Sequence, residues 1–208
     1  MKFSVFLDCI DRIENQDLVD SEQFIQKITK HRIQVQINPK KPPRKAAVLA
    51  LFYPKNEQTY LALMLRESYN GVHSNQISFP GGKMEMQDKD LYQTALREAQ
   101  EELNIDPLST EFIKEINKVF IPPSNFEVSP FLAYTKNRPN FQKNHEVASL
   151  IEFPIFELLK EDIIEEGYKN FADGSRIKTQ YFKHENHQIW GATAIMLAEI
   201  RYYLSNSI

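Results

Sequence analysis

PGGKMEMQDKDLYQTALREAQEELN, residues 80–104, is the most informative segment of the sequence. Two of the chain's six glycines, Gly81 and Gly82, stand side by side there, directly after Pro80. Average usage would give about fourteen glycines in 208 residues. Glycine allows positive φ and a close approach of the backbone to a ligand, so a scarce adjacent pair indicates a loop with a special backbone conformation.

A helix is predicted directly after this loop. From Asp90 to Leu103, apolar residues recur every four positions, as they do on the buried face of an amphipathic helix. This apolar stripe consists of Leu91, Ala95, Ala99 and Leu103. Pro107 lies shortly beyond the predicted end, which is typical of the residues that follow a helix.

Three glutamates lie on one face of this predicted helix. Glu98, Glu101 and Glu102 are spaced i, i+3 and i+4, so they lie beside the apolar stripe rather than opposite it. Carboxylate oxygens are the ligands that Mg²⁺ or Mn²⁺ prefers, and substrate phosphates often complete such a site. Taken alone, the helix fits either a metal site that acts on a phosphate or a solvated acidic surface.

The surrounding pattern favours the metal site. Residues 82–102 read G-x5-D-x8-R-E-x2-E-E, with Asp88 and Arg97 at the central positions. This resembles the Nudix box of the Nudix hydrolase family, G-x5-E-x7-R-E-U-x-E-E-x-G-U, where U is a bulky apolar residue. One extra residue precedes Arg97, an aspartate replaces the first glutamate, and Asn104 replaces the last glycine. Asparagine is the best non-glycine residue for a left-handed helix cap, so the last change is mild.

The lengthened box and its flanks resemble the coenzyme A pyrophosphatase branch of that family. The branch pattern R-S/T-x2-L-x2-H-x-G-Q-V/I-x-F-P-G-G is matched by Arg66, His73, Gln76 and residues 79–82, whereas Asn75 stands in place of a glycine. Later segments that resemble the branch are 126–130, 144–147 and 189–194. The resemblance covers about residues 46–200, and residues 1–40 lie outside it.

The resemblance implies the metal ligands and leaves the general base open. Glu98, Glu101 and Glu102 are implied to hold Mg²⁺ or Mn²⁺. Glu101, Glu102 or the later Glu146 would orient the attacking water, although Glu146 fits a surface carboxylate at a strand end equally well. Asp88 is implied to pair with the arginine of the box in a mainly structural role.

The resemblance also implies a substrate-binding set. Its members are Arg66, His73, Gln76, Gly81, Gly82 and Lys83. Arg66 and Lys83 are the cations near the box that could bind phosphate, although Lys83 also fits a solvated lysine. His73 is either a substrate contact or a hydrogen-bonded loop residue.

The expected activity is metal-dependent hydrolysis of the pyrophosphate bond in coenzyme A or acyl-coenzyme A. The products would be 3′,5′-ADP and 4′-phosphopantetheine or its acylated form. Two alternatives stay open: a Nudix hydrolase of ADP-ribose or another nucleoside diphosphate derivative, and a non-catalytic nucleotide-binding Nudix domain. The complete glutamate set of the box argues against the second.

The composition excludes several classes of protein. A net charge of −3 and a pI near 6.0 argue against a general nucleic-acid binder, which usually has a basic surface. The longest apolar run, 46–53, is far shorter than the roughly 20 residues of a membrane helix. Cys9 is the only cysteine, which excludes an internal disulfide and favours a cytoplasmic protein. The protein is expected to be a monomer or a homodimer that binds a small nucleotide substrate.

The order of predicted elements indicates a mixed sheet covered on two faces. Helices are predicted at 2–14, 20–31, 90–103, 154–165 and 192–204, and strands at 46–53, 60–66, 76–79, 115–121, 128–135, 146–153 and 176–182. The predicted fold class is an α/β protein, a Nudix-type α/β/α sandwich. Residues 1–40 are expected to form an N-terminal helical extension, and residues 41–208 the Nudix domain.

Overall fold

The structure is a computed structural model that describes residues 1–19, 42–67, 76–170 and 176–208. Its helices are α1 (Phe3–Asn15), α2 (Leu91–Leu103), α3 (Ile155–Leu158) and α4 (Gly191–Ser205). Its strands are β1 (Arg44–Lys55), β2 (Gln58–Arg66), β3 (Ile77–Ser78), β4 (Gly81–Lys83), β5 (Glu111–Glu115), β6 (Val119–Ile121), β7 (Phe126–Tyr134), β8 (Val147–Pro154), β9 (Ile164–Asn170), β10 (Arg176–His184) and β11 (His187–Ile189).

The central sheet is mixed, as the sequence predicts. Its order is β3-β2-β1-β7-β5, with β4, β6 and β8 pairing with β1, β7 and β2 respectively. The long β1 and β7 are parallel, whereas the other pairs are antiparallel. Strands β9, β10 and β11 form a second, antiparallel sheet.

Strands β1 and β2 diverge, and the glycine loop occupies the gap between them. The two strands pair only at residues 52–55 and 58–61, next to their connecting turn. Farther from the turn, β1 pairs with β4 at residues 46–48, and β2 pairs with β3 at residues 64–65. The other sides of β1 and β2 are covered by β7 and β8. Segment 77–83 is therefore held on both sides by the central sheet.

Alternation along β1 divides the core into two layers. Ala50 and Phe52 face one layer, which also contains apolar side chains of α1 and α4, whereas Leu49 and Leu51 face the other, which contains the apolar stripe of α2. Alternate residues of a strand point to opposite faces of a sheet, so the buried β1 needs an apolar run rather than an alternating pattern. This arrangement confirms the predicted α/β/α sandwich with a mixed sheet.

The N-terminal helix packs on the same core as the sheet. The ring of Phe6 lies 4.7 Å from that of Phe52 in β1, and the backbone N–H of Phe3 donates to the carbonyl of Glu57 at 2.8 Å. The observed helix differs by one residue at each end from the predicted range 2–14. The helix predicted at 20–31 lies outside the described residues, and the proposed domain boundary near residue 40 stays a prediction.

Two predicted elements are wrong. The helix predicted at 154–165 ends at Leu158, and β9 begins at Ile164 after a short 3-10 turn. The strand predicted at 115–121 is interrupted, because the register with β7 shifts by one residue between the pairs Glu115–Phe131 and Val119–Val128. None of the helices in the described ranges is long and apolar enough to cross a membrane.

Candidate active site

Gly81 lies so close to β1 that no side chain fits there. A Cβ at this position would lie 2.3 Å from the carbonyl oxygen of Ala47 and 2.6 Å from the Cα of Val48, both backbone atoms of a central strand. Its φ of 153° is also one that other residues rarely adopt. The Gly81 N–H donates a 2.8 Å hydrogen bond to Oε2 of Glu102, so the loop directly contacts the acidic helix.

The absence of a side chain at Gly82 leaves room for the carboxylate of Glu98, which also belongs to α2. A Cβ there would lie 2.4 Å from Oε1 of Glu98. The sequence predicts that the backbone at this glycine pair lies close to another group. In the structure, that group is the pair of carboxylates of Glu98 and Glu102 in α2. The two glycines fix where the box carboxylates lie relative to the sheet.

Asp88 and Arg97 form a bidentate ion pair. The Nε and Nη2 atoms of Arg97 donate to the two carboxylate oxygens of Asp88 at 2.9 and 3.0 Å, and Nη2 also donates to the carbonyl of Lys83 at 3.2 Å. The hydroxyl of Thr94 donates to Asp88 at 3.0 Å. Hydrogen bonds from Arg97 chiefly lower the pKa of Asp88, to about 2. The pair ties the loop after β4 to α2.

Arg97 also contacts two of the predicted metal ligands. Its Nη1 atom lies 3.1 Å from Oε1 of Glu98 and 3.3 Å from Oε2 of Glu101. Burial raises the pKa of Glu98, although the nearby Arg97 opposes this. Glu101 is the most exposed of the three box glutamates, with 57% of its side chain accessible.

Glu102 is buried and Arg66 connects it to Glu146. The guanidinium of Arg66 lies 3.2 Å from Oε1 of Glu102 and 3.2 Å from Oε2 of Glu146. Burial raises the pKa of Glu102 to about 8, despite the opposing effects of Arg66 and the Gly81 N–H. Arg66 thus brings together Glu102 and Glu146, two of the three candidate bases.

The donor set fits a hard divalent cation. Within the described ranges, no three His, Cys, Asp or Glu side chains form a ready-made metal-binding group, and the box glutamates form ion pairs with Arg97 and Arg66. Five carboxylates nevertheless surround these two guanidinium groups: Asp88, Glu98, Glu101, Glu102 and Glu146. Oxygen-only donors and an excess of negative charge suit Mg²⁺ or Mn²⁺. Binding a cation would also lower the pKa of the buried Glu102.

Two other predicted substrate-binding residues, Gln76 and Lys83, lie beside the two arginines of this cluster. The carbonyl of Gln76, directly before β3, accepts a 3.0 Å hydrogen bond from the N–H of Arg66 at the end of β2, which places the two residues side by side. Lys83 ends β4 with an exposed side chain. His73 lies outside the described residues.

Sequence reasoning missed a role for Thr94. Its buried hydroxyl bonds to Asp88, and it precedes Arg97 by three residues. Residues three apart share a helix face, so this spacing was the available signal.

The fold and the site together define a class of protein: a mixed-sheet α/β/α sandwich in which a glycine loop lies against an acidic helix. Two solved structures share this fold. The Nudix hydrolase RenU from M. smegmatis has a TM-score of 0.55 and 15% identity over 80% of this chain and 88% of its own. A MutT/nudix family protein from Enterococcus faecalis has a TM-score of 0.53 and 11% identity over 91% of this chain and 76% of its own.

The NUDIX domain model matches residues 43–173, so this chain belongs to the Nudix family. The "Uncharacterized Nudix hydrolase NudL" of Yersinia pestis is 33% identical over 169 residues, 78% of this chain and 80% of its own length. "Nudix hydrolase 15, mitochondrial" of Arabidopsis thaliana is 29% identical over 164 residues, 76% of this chain. The matched part is 57% of the Arabidopsis protein. At the level of the family, the chain is a Nudix hydrolase, and this class of enzyme acts on pyrophosphate bonds.

Proposed function

We propose that the chain hydrolyses the pyrophosphate bond of coenzyme A or acyl-coenzyme A in a metal-dependent reaction. The position of the buried Glu102 is the main support for a hydrolytic function. Glu102 accepts a hydrogen bond from the Gly81 N–H at 2.8 Å and pairs with Arg66 at 3.2 Å, and it lies beside the other two glutamates of the box. Such an acidic cluster with an excess of negative charge favours a divalent cation and, through it, a pyrophosphate.

Different residues of the chain would bind the metal, orient the carboxylates and accept the proton in this reaction. Glu98, Glu101 and Glu102 would hold Mg²⁺ or Mn²⁺, which when bound supplies positive charge to the pyrophosphate oxygens. Arg66 orients Glu102 and Glu146, and one of Glu101, Glu102 and Glu146 accepts a proton from the attacking water. The water oxygen bonds to one phosphorus, the P–O–P bridge breaks, and two phosphate monoesters leave.

The pairing of Arg66 with Gln76 supports the choice of coenzyme A. These residues belong to the upstream element that resembles the coenzyme A branch, and a backbone hydrogen bond joins Arg66, at the end of β2, to Gln76, directly before β3. Their position beside the Arg66–Glu102 contact lets this element meet a substrate bound at the acidic helix. Lys83, exposed at the end of β4, adds a cation for the phosphates.

Mass spectrometry of products tests this proposal directly. The full chain is incubated with Mn²⁺ and coenzyme A in water enriched in ¹⁸O, with ADP-ribose in a parallel reaction. We expect 3′,5′-ADP and 4′-phosphopantetheine, with ¹⁸O in only one product, which identifies the attacked phosphorus. Intact coenzyme A beside cleaved ADP-ribose would reject the substrate, and no cleavage of any nucleoside diphosphate derivative would favour a binding domain.

A further inference from the structure

The start of α4 contacts the strand that leads into the glycine loop. The hydroxyl of Thr193, in the first turn of α4, donates a 2.8 Å hydrogen bond to the carbonyl of Ile77 in β3. Thr193 is buried, with 8% of its surface exposed, and it lies 116 residues from its partner along the chain. This bond is therefore a long-range contact between the last helix and the site.

The bond satisfies a carbonyl that β2 cannot reach. The preceding carbonyl, that of Gln76, accepts from the N–H of Arg66 in β2. Successive carbonyls of a strand point to opposite sides, so the carbonyl of Ile77 points away from β2. Ile77 is itself only 8% exposed, and a buried carbonyl without a partner is costly. Thr193 thus holds β3 on the side that the sheet leaves open.

The two halves of segment 77–83 are held unequally. Strand β4 has three registered pairs with β1, and flanking hydrogen bonds run from Leu49 N–H to the Pro80 carbonyl at 2.9 Å and from Met84 N–H to the Lys45 carbonyl at 3.1 Å. Among the described residues, strand β3 has two registered pairs, both with β2, and one flanking hydrogen bond, from the Arg66 N–H to the Gln76 carbonyl at 3.0 Å. Strand β3 is held by fewer contacts than β4, so its placement depends more strongly on the added hydrogen bond from Thr193.

We propose that Thr193 is a positioning residue for catalysis, which acts through Ile77 on the loop that presents the Gly81 N–H to Glu102. Gly81 follows Ile77 by four residues, and its N–H contacts the most buried carboxylate of the site. A small displacement of this loop alters the geometry of Glu102. The proposal rests on the proposed function, since its kinetic consequence requires hydrolysis.

The test combines kinetics with an NMR readout that needs no substrate. Gly81 is the only glycine that follows a proline, so ¹³C-carbonyl proline and ¹⁵N-glycine labels select its amide alone. In Thr193→Val we expect the Gly81 amide proton to shift and kcat to fall by about tenfold with KM within about twofold, as for a misplaced catalytic group. Thr193→Ser, which keeps the hydroxyl, should restore both.

Thr59→Val is the matched control. Thr59 is fully buried, and its hydroxyl has no hydrogen-bond partner among the described residues, so the same substitution should leave the Gly81 resonance and kcat unchanged. If Thr193→Val does not fold, Thr193→Ala replaces it. If Thr193→Val lowers the melting temperature but leaves the Gly81 resonance unmoved, the proposal is overturned. A change in only the Gly81 resonance or only kcat would also overturn it. A shifted resonance in a chain without hydrolase activity would instead reject the proposed function.

Discussion

Glu102 is the residue at which burial and negative charge conflict most strongly. Its side chain is 2% exposed, and desolvation raises its pKa to about 8. The neighbouring carboxylates of Glu98 and Glu146 raise this pKa further, whereas Arg66 and the Gly81 N–H lower it. A divalent cation at the box would stabilise the charged form of Glu102 and relieve this conflict. Metal binding at the box would therefore change the charge state of Glu102.

Replacement of Glu101 or Glu102 by glutamine tests the metal assignment. Each variant loses one negative oxygen donor and keeps its size, so kcat should fall at least about 10²-fold and Mn²⁺ should bind more weakly. Mn²⁺ affinity is measured by the paramagnetic resonance signal of the free ion, and turnover by product release. Glu115→Gln, on the exposed side of β5, is the control. Unchanged turnover and Mn²⁺ affinity in both box variants would contradict the assignment.

Substitution of Gly81 by alanine tests the close approach of the loop. The added Cβ would collide with the β1 backbone, which cannot move without disturbing the central sheet. We expect a loss of at least about 2 kcal/mol of unfolding free energy and at least about 10²-fold in kcat. Urea denaturation and product release measure the two effects.

Gly191→Ala provides the comparison for Gly81→Ala. Its φ is 67°, but a Cβ there meets no atom within 4 Å, so only the backbone conformation is strained. The expected loss is about 1 kcal/mol. Equal losses in the two variants would show that the contact with β1 is unimportant.

At the scale of elements, helix α2 ends in a left-handed residue that is not glycine. Asn104 has φ 57° and ψ 38°, and its N–H donates to the carbonyl of Gln100 while Ile105 N–H donates to that of Ala99. The bond from the Asn104 N–H to the Gln100 carbonyl is that of an αL cap. The Asn104 side chain also donates to the carbonyl of Asn140 at 3.1 Å, a contact that glycine could not make.

Asn104→Ala and Asn104→Gly separate these two contributions. Alanine loses both the side-chain bond and the tolerance of positive φ, so we expect a loss of about 1 kcal/mol. Glycine regains the conformational freedom, and its net effect should lie within about 0.5 kcal/mol. Urea unfolding followed by circular dichroism measures both. Equal losses would show that the backbone conformation does not matter at this cap.

The elements that sequence reasoning predicted well are those with a strong apolar pattern. Helix α2 buries apolar side chains at regular intervals, and strands β1, β2 and β8 are rich in consecutive apolar residues, so their ranges follow from the sequence pattern. The short β4, Gly-Gly-Lys, has no such pattern, because it forms where β1 offers an unpaired edge. Pairing of this kind depends on tertiary structure and cannot be found in local sequence.

Strand β9 was missed for a different reason. Its register with β10 places Glu166 opposite Gln180 and Glu165 opposite Tyr181. Glu165 accepts a hydrogen bond from the Tyr181 hydroxyl at 2.7 Å, and Glu166 pairs with Lys178 at 2.7 Å. Cross-strand polar pairs stabilise this strand, so its sequence lacks the apolar run by which the other strands were predicted. In the site, the spacing predicted that Glu98, Glu101 and Glu102 share one helix face, but the distribution of the carboxylates between Arg66 and Arg97 required the three-dimensional structure.

At the scale of the molecule, the N-terminal helix and the C-terminal residues belong to one packed layer. The Arg12 side chain donates to the carbonyl of Ser207 at 2.7 Å, and Gln16 donates to the Ser207 hydroxyl at 2.6 Å. Lys114 in β5 donates to the Ile13 carbonyl at 3.2 Å, so the layer also joins the sheet. We expect α1 to unfold together with the Nudix domain.

Phe6→Ala tests this cooperativity. Phe6 is fully buried against Phe52, so truncation should cost about 3–5 kcal/mol and shift the whole urea transition. Leu7→Ala, at a position that is 36% exposed, should cost less than about 1 kcal/mol. Tryptophan fluorescence, which reports on Trp190 beside α4, and circular dichroism should give one coincident transition. An unmoved fluorescence transition in Phe6→Ala would show that α1 unfolds independently.

The stability of the whole molecule should also depend on pH, and Glu152 is a suitable residue for testing this because it joins several elements of the fold. It joins β8 to β1 and to the loop after β7 through hydrogen bonds from Tyr53, Lys55 and Arg138 at 2.8 to 3.1 Å.

Burial tends to raise the pKa of Glu152, but the bonds from Arg138, Lys55 and Tyr53 outweigh it and lower the pKa to about 2 from 4.5. Because the folded pKa is depressed, this contribution to stability is complete above about pH 4.5 and is lost as pH falls through about 2. Its size is on the order of 3 kcal/mol. The unfolding free energy of wild type minus that of Glu152→Gln should therefore shrink over this window, whereas Glu115→Gln should follow wild type. A difference that stays constant from pH 5 to pH 2 would show that the charge on Glu152 does not stabilise the fold.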